Sequence, residues 1–332
     1  MPQEIHDLQY CFFMVDERPL CLWDDNIKQR NLRFITTSID PSYFEYLYYL
    51  YGNAINSAKK ATDKDAQHPA LAMRTAYSQA LETLFALLFS AIQAHWCIPA
   101  WINAYTNGEL RNLVEKVHTR QPVISVLDAE SPTWSDIFDF LFRYLEIEDK
   151  QYEAAIRENF TRTWSRFAID FLDKAFVREF NSIKHGLRVS SGGFKFRVGI
   201  PDEPGVPPPP EKMMELTSSD FGSGYFNSEK IGTLSHHIRL RGELRNWELD
   251  SIGWGLYMAA ISIKNMQSSL LTINSGSSQI TFIAPSLSDF DRRRGFTTVT
   301  TEPEKTILPE HIKPFSKDQI LSNYKSKKYF GI

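Results

Sequence analysis

A chain of 332 residues with 42% hydrophobic and 13% aromatic residues can bury a large core, and its composition is not that of a disordered chain. The formal net charge of −3 gives no global drive towards nucleic acid or a membrane surface, which leaves only local patches to consider. Three widely spaced cysteines, Cys11, Cys21 and Cys97, form no close metal-ligand pair and suggest a reducing, cytoplasmic setting without a disulfide framework.

The opening MPQEIHDLQYCFFMVDE has no basic stretch ahead of a long apolar run, so no secretory signal is expected. Residues 1–38 alternate loosely in YCFFMV, LCLW and LRFITT, which predicts two or three short strands or extended segments. Asp40 followed by Pro41 is an N-cap with proline at the first helical position, opening a Tyr-rich helix to about Ala61. A long helix from Pro69 to about Trp96 is apolar nearly all round and therefore central. Its greasiest window, Thr83 to Ile92, is too short to span a bilayer, and no membrane association is expected.

Shorter helices are predicted over Glu109–His118 and from about Trp134 to Ile147. A very long helical pattern, with room for a kink, runs from Asp149 to His185. After Gly186 the pattern changes. GGFKFRVGI and SHHIRLRGE read as strands on either side of a proline-rich connector, Pro201 to Lys212. A second apolar helix follows from Glu248 to about Asn274, then a late strand, SQITFIAPS, and a polar tail. The expected fold is mainly α: a multi-helix bundle over 39–275 with a β and Pro-rich insertion at about 190–245. An extended segment over 1–38 precedes it, and a strand and tail over 276–332 follow.

The stretch FNSIKHGLRV closes the long helix. Ile169, Leu172, Phe176, Phe180, Ile183 and Leu187 share one face, while Trp164, Phe167 and Phe171 lie roughly opposite. That second face continues as Lys174, Arg178, Asn181 and His185. A polar stripe that extends an apolar one suggests a cleft or a partner. Lys184, His185 and Gly186 are equally good C-capping chemistry, suited to the negative end of the helix dipole. Arg178 and His185 are seven apart and stack on one face, about 10 Å apart along the axis. Around one phosphodiester, His185 would move the proton and Arg178 would brace the growing charge, with Asn181 orienting the phosphate and Lys184 adding charge.

Arg178 and His185, with EFNSIK between them, resemble the signature of the HEPN superfamily, in which an Arg is followed after four to six residues by a His on a late helix. The run N-x-x-K-H-G, Asn181 to Gly186, is also similar to bacterial proteins near that fold. The resemblance implies a helical domain, a homodimer pairing two such helices, and metal-independent cleavage of RNA without a cofactor, in a bacterial defence or toxin–antitoxin setting. The alternative is a non-catalytic regulatory or immunity module on the same scaffold, with a protein partner. A second match, Arg111 to His118, lies on a shorter helix. Glu-x3-Lys, present in some catalytic members, is absent at Glu82, which has Ala86 at that spacing; it occurs only at Glu146 and Lys150.

Arg74, Ser78 and Glu82 repeat every four residues in the central helix. A buried Glu must be paired or protonated, so an internal network is expected, with Arg74 or another helix supplying the partner; the alternative is that Glu82 faces the His185 cleft. Arg239, Arg241 and Arg245, with His237, form a basic edge on the insertion that would hold RNA phosphates; Arg292, Arg293 and Arg294 form another cluster. His236 and His237 point to opposite faces of a strand, which argues against a shared metal.

Overall fold

The computed structural model describes residues 12–15, 18–21, 25–185, 188–200, 202, 206, 208–230, 238–276, 280–290, 297–301 and 316–325. The architecture is mainly helical with a small antiparallel sheet. A short hairpin, β1 (Phe12–Val15) and β2 (Arg18–Cys21), comes first. The segment LRFITT is not a strand: it completes helix α1 (Asp25–Thr37). Its β-branched residues favoured a strand on propensity, but tertiary contacts decide. Asn31, 1% exposed, bonds the His95 carbonyl (3.0 Å), the Asn274 side chain (3.2 Å) and the Ile98 amide (3.1 Å).

Helix α2 (Pro41–Ser57) starts as expected, with Asp40 accepting from the Ser42 amide at 3.0 Å. Helix α3 (Lys64–Ala94) begins five residues before Pro69, which the helix accommodates near its start. It is buried over most of its circumference, with His68 and Gln79 exposed on one stripe, and packs against α2, α9 (Leu249–Ser275) and the helices between them. The close approach of α3 and α9 depends on Gly255, where a Cβ would lie 2.7 Å from the Tyr77 ring.

Helices α4 (Ile98–Ala104), α5 (Asn107–His118) and α6 (Trp134–Leu141) follow, the last two opened by capping boxes at Thr106–Glu109 and Thr133–Asp136. The long pattern is broken into α7 (Lys150–Leu172) and α8 (Lys174–Lys184). Asp173 makes the break, capping α8 through the amides of Ala175 (2.9 Å) and Phe176 (3.3 Å).

The insertion forms two separate sheets. Strands β3 (Val189–Ser191), β6 (Gly222–Lys230), β7 (Ile238–Asn246) and β8 (Thr297–Thr301) form one antiparallel sheet in the order β3-β6-β7-β8. Its edge strand β8 comes from beyond residue 275. Strands β4 (Lys195–Gly199) and β5 (Met213–Ser218) form a hairpin of their own. The expected late strand is absent over 280–286. There the Asn265 amide group bonds both the N–H (2.8 Å) and the carbonyl (2.9 Å) of Ile283, doing for one residue what a neighbouring strand would do for several. Helix α10 (Lys317–Lys325) lies within the expected tail.

Cys97 is disulfide-bonded, against the expectation of unbridged cysteines. The N-terminal hairpin packs on α4, which begins directly after Cys97, so separation along the chain was a poor measure of distance in space. No helix among the described residues is long and apolar enough to cross a membrane.

Candidate functional site

Helix α8 buries Phe176, Phe180 and Ile183. Glu179 falls on the same face, one turn from Phe176 and from Ile183, so helical geometry carries a carboxylate into the core. It is 0% exposed and meets Arg74 of α3, also 0% exposed, at 2.6 Å. The Trp247 indole N–H (2.8 Å) and the Ser223 hydroxyl also donate to Glu179. Arg74 bonds Ser78 at 2.7 Å and lies 3.7 Å from the centre of the Phe176 ring. Burial pushes the Arg74 guanidinium below its ordinary value, and the Glu179 carboxylate opposes that shift. Arg74 is therefore part of an internal network as expected, but its carboxylate is Glu179, not Glu82.

Two further ion pairs flank this one. Arg178 reaches β7 and pairs with Glu243 at 2.9 Å; the two side chains are 35% and 3% exposed. The Tyr225 hydroxyl donates to the same carboxylate at 2.7 Å and to the Ala175 carbonyl at 3.1 Å. Burial, then the bond to Glu243, raises the Tyr225 phenol well above its ordinary value, so it remains a donor. Arg245, 2% exposed, meets Asp173 at 2.7 Å. Burial works against the Asp173 charge, but Arg245 and the capped amides outweigh it and hold the carboxyl below its usual range. Three cations and three carboxylates thus clamp α8 between α3 and the sheet.

This arrangement removes Arg245 from the proposed basic edge. Along β7, Glu243 and Arg245 face inward against α8, while the alternate residue Leu244 is 36% exposed. Arg245 is sealed in an ion pair and cannot reach an RNA phosphate. Arg241 is half-buried. The side chain of Arg239, together with Gly186, Leu187, His236, His237 and Arg292 to Arg294, lies outside the described residues.

The expected catalytic group is brought together only in part. Asn181, Lys184 and His185 are exposed at the end of α8, where the His185 amide donates to the Asn181 carbonyl at 2.9 Å in ordinary C-capping. Arg178 is turned towards Glu243. In the second match, Arg111 donates to the Leu172 carbonyl at 2.9 Å and His118 is exposed, so those two are not paired over a common site either.

Glu82 lines a cavity of about 610 Å³ among α2, α3 and α5. Burial raises its carboxyl above the ordinary value, partly offset by Lys184. Lys184, at the exposed end of α8, is the cation that offsets the effect of burial on Glu82. No group of three or more His, Cys, Asp or Glu residues able to hold a metal is present among the described residues.

Sequence reasoning missed Glu179, Asp173, Tyr225, Glu243 and Trp247. Glu179 had a signal, since its spacing from Phe176 and Ile183 put it on the buried face. Glu243 and Trp247 had none, because nothing local marks a strand residue that pairs with a distant helix.

A second surface completes the set. On the β4–β5 hairpin, Val198 is directly opposite Met214, and Phe196 shares the face by alternation. Phe196 and Val198 are each 39% exposed, Met214 62% and Leu216, beside a bulge, 53%. Arg197 and Glu215 pair at 3.1 Å on the other face. The base of the hairpin is anchored, since the Asn246 side chain bonds the amide and the carbonyl of Phe194, both at 2.8 Å.

Comparison with family models, with curated proteins and with solved structures found no match.

Proposed function

We propose that this chain is a non-catalytic protein-interaction module, of a regulatory or immunity kind, built on a helical scaffold of the HEPN type. The observation that carries the reading is the uncovered apolar face of the β4–β5 hairpin. A two-stranded hairpin gains little by folding in water with four large apolar side chains exposed, and faces of that kind mark sites of association. The Asn246 anchor holds the hairpin at a fixed place on the sheet, which limits the entropy lost when a partner docks. The state of Arg178 agrees with this reading. Its charge is answered by Glu243, whose carboxylate also accepts from the Tyr225 hydroxyl, so bracing a phosphate would require giving up a partly buried pair. The test introduces Val198→Arg and Leu216→Arg together. The doubly substituted protein keeps its thermal stability and loses the partner that the parent retains from a lysate of its own cells. Equal retention of the same species by both proteins contradicts the reading.

A second reading, a metal-independent HEPN-type endoribonuclease acting as a homodimer, is favoured by the exposure of Asn181, Lys184 and His185 on one turn at the end of α8. It predicts RNA cleavage in EDTA that His185→Ala abolishes. If neither protein cleaves, this second reading fails.

A further inference from the structure

We infer that the cavity lined by Glu82 is a binding site for an organic cation, an ammonium group carried on an apolar or aromatic body. Its volume of about 610 Å³ lies in the range of small-ligand sites. The walls are mainly apolar, with Phe34, Phe44, Ile102 and Leu110 around the phenol-bearing Tyr43 and Tyr105. Aromatic faces attract cations, so walls of this kind suit an alkylammonium better than an anion.

The charge of the site has one sign. Its lining includes Glu82 and Asp40 and, among the described residues, no Lys, Arg or His. Two helices begin at its edge, and the N-terminus of a helix would ordinarily invite an anion. Both are already answered by carboxylates. Asp40 caps α2, and Glu109 bonds the Thr106 amide at 2.8 Å in the capping box of α5. The wall carboxylate, in contrast, is uncommitted. Among the described residues Glu82 makes no hydrogen bond and no ion pair, and feels only the attraction of Lys184, an exposed residue. A half-buried carboxylate facing an apolar cavity lacks the partner that a bound ammonium would supply. This site is separate from the hairpin face and does not depend on the interaction reading.

Three small probes of similar shape and different charge test the inference: phenethylamine, phenethyl alcohol and hydrocinnamate, titrated calorimetrically into the full chain. Phenethylamine binds, and binds more tightly than the alcohol or the carboxylate. Glu82→Gln, which keeps the shape and removes the charge, weakens the amine about tenfold and leaves the alcohol unchanged. Ala86→Phe, which fills the cavity wall, abolishes binding of the amine. If that variant does not fold, the near-isosteric Glu82→Gln decides alone. Equal affinity for amine and alcohol, preference for hydrocinnamate, indifference of the amine to Glu82→Gln, or no amine binding would each overturn the inference.

Discussion

Glu179 shows how one residue ties together parts of the chain that the sequence keeps far apart. Its carboxylate joins α3, β6 and the Trp247 segment, and its pair with Arg74 closes a contact between residues 105 positions apart. Removing one member of a buried pair leaves the other uncompensated, so Glu179→Ala should cost about 3–5 kcal/mol in urea unfolding. Replacing both, as Arg74→Met with Glu179→Leu, should recover part of that loss, and the double-mutant cycle measures the coupling. His95 provides a pH test. Burial, then Arg143, lowers its imidazole from 6.5 to about 4, so the folded chain prefers it neutral. Its stabilising contribution is present above the unfolded value and is lost as pH falls from 6.5 towards about 4. Between about pH 7 and pH 5 the parent should lose on the order of 1 kcal/mol more stability than His95→Phe, a figure discounted for partial exposure. Arg74 was legible as a member of an internal network because a charge in an all-round apolar helix must be paired. Its partner was not, because pairing across that separation is decided by the fold.

The elements were most legible where local chemistry dictates them. Asp40 with Pro41, and the apolar circumference of α3, announce their helices through capping and burial. The break between α7 and α8 left only the hint of a kink, because Asp173 interrupts an otherwise continuous periodicity. The failures at LRFITT and SQITFIAPS share a cause. Both are apolar, β-branched segments whose state depends on a neighbour, α4 and α9 for the first and Asn265 for the second. The packing of α3 on α9 makes its own prediction. Tyr77 is 1% exposed and is held by its hydroxyl bond to Asp170 at 2.6 Å, so its ring cannot retreat from a new Cβ at position 255. Gly255→Ala should lower stability by about 1–3 kcal/mol in thermal unfolding, although alanine is the better helix former by roughly 1 kcal/mol.

Taken as a whole, the molecule places a helical bundle behind a small sheet and lets one hairpin project with its apolar face uncovered. The charge-paired side of α8 belongs to the seam between bundle and sheet, which is why a stripe that read as a cleft lies partly within the structure. The candidate chemistry of Arg178 and His185 was visible as spacing along a helix. The Glu243 that answers Arg178 lies 65 residues away and was not. Of the exposed hairpin only β4 was legible, within GGFKFRVGI; β5 was not foreseen, and the sequence does not say which face a sheet covers. The central claim, that this hairpin is a docking surface, is tested most directly by photo-crosslinking from position 214. A photoreactive phenylalanine replaces Met214 in the full chain in its own cells, with the exposed Leu321 as the control position. The account predicts a discrete crosslinked species from position 214, absent from position 321 and lost when Val198→Arg and Leu216→Arg are added. Crosslinking from position 214 no greater than from position 321 would contradict it.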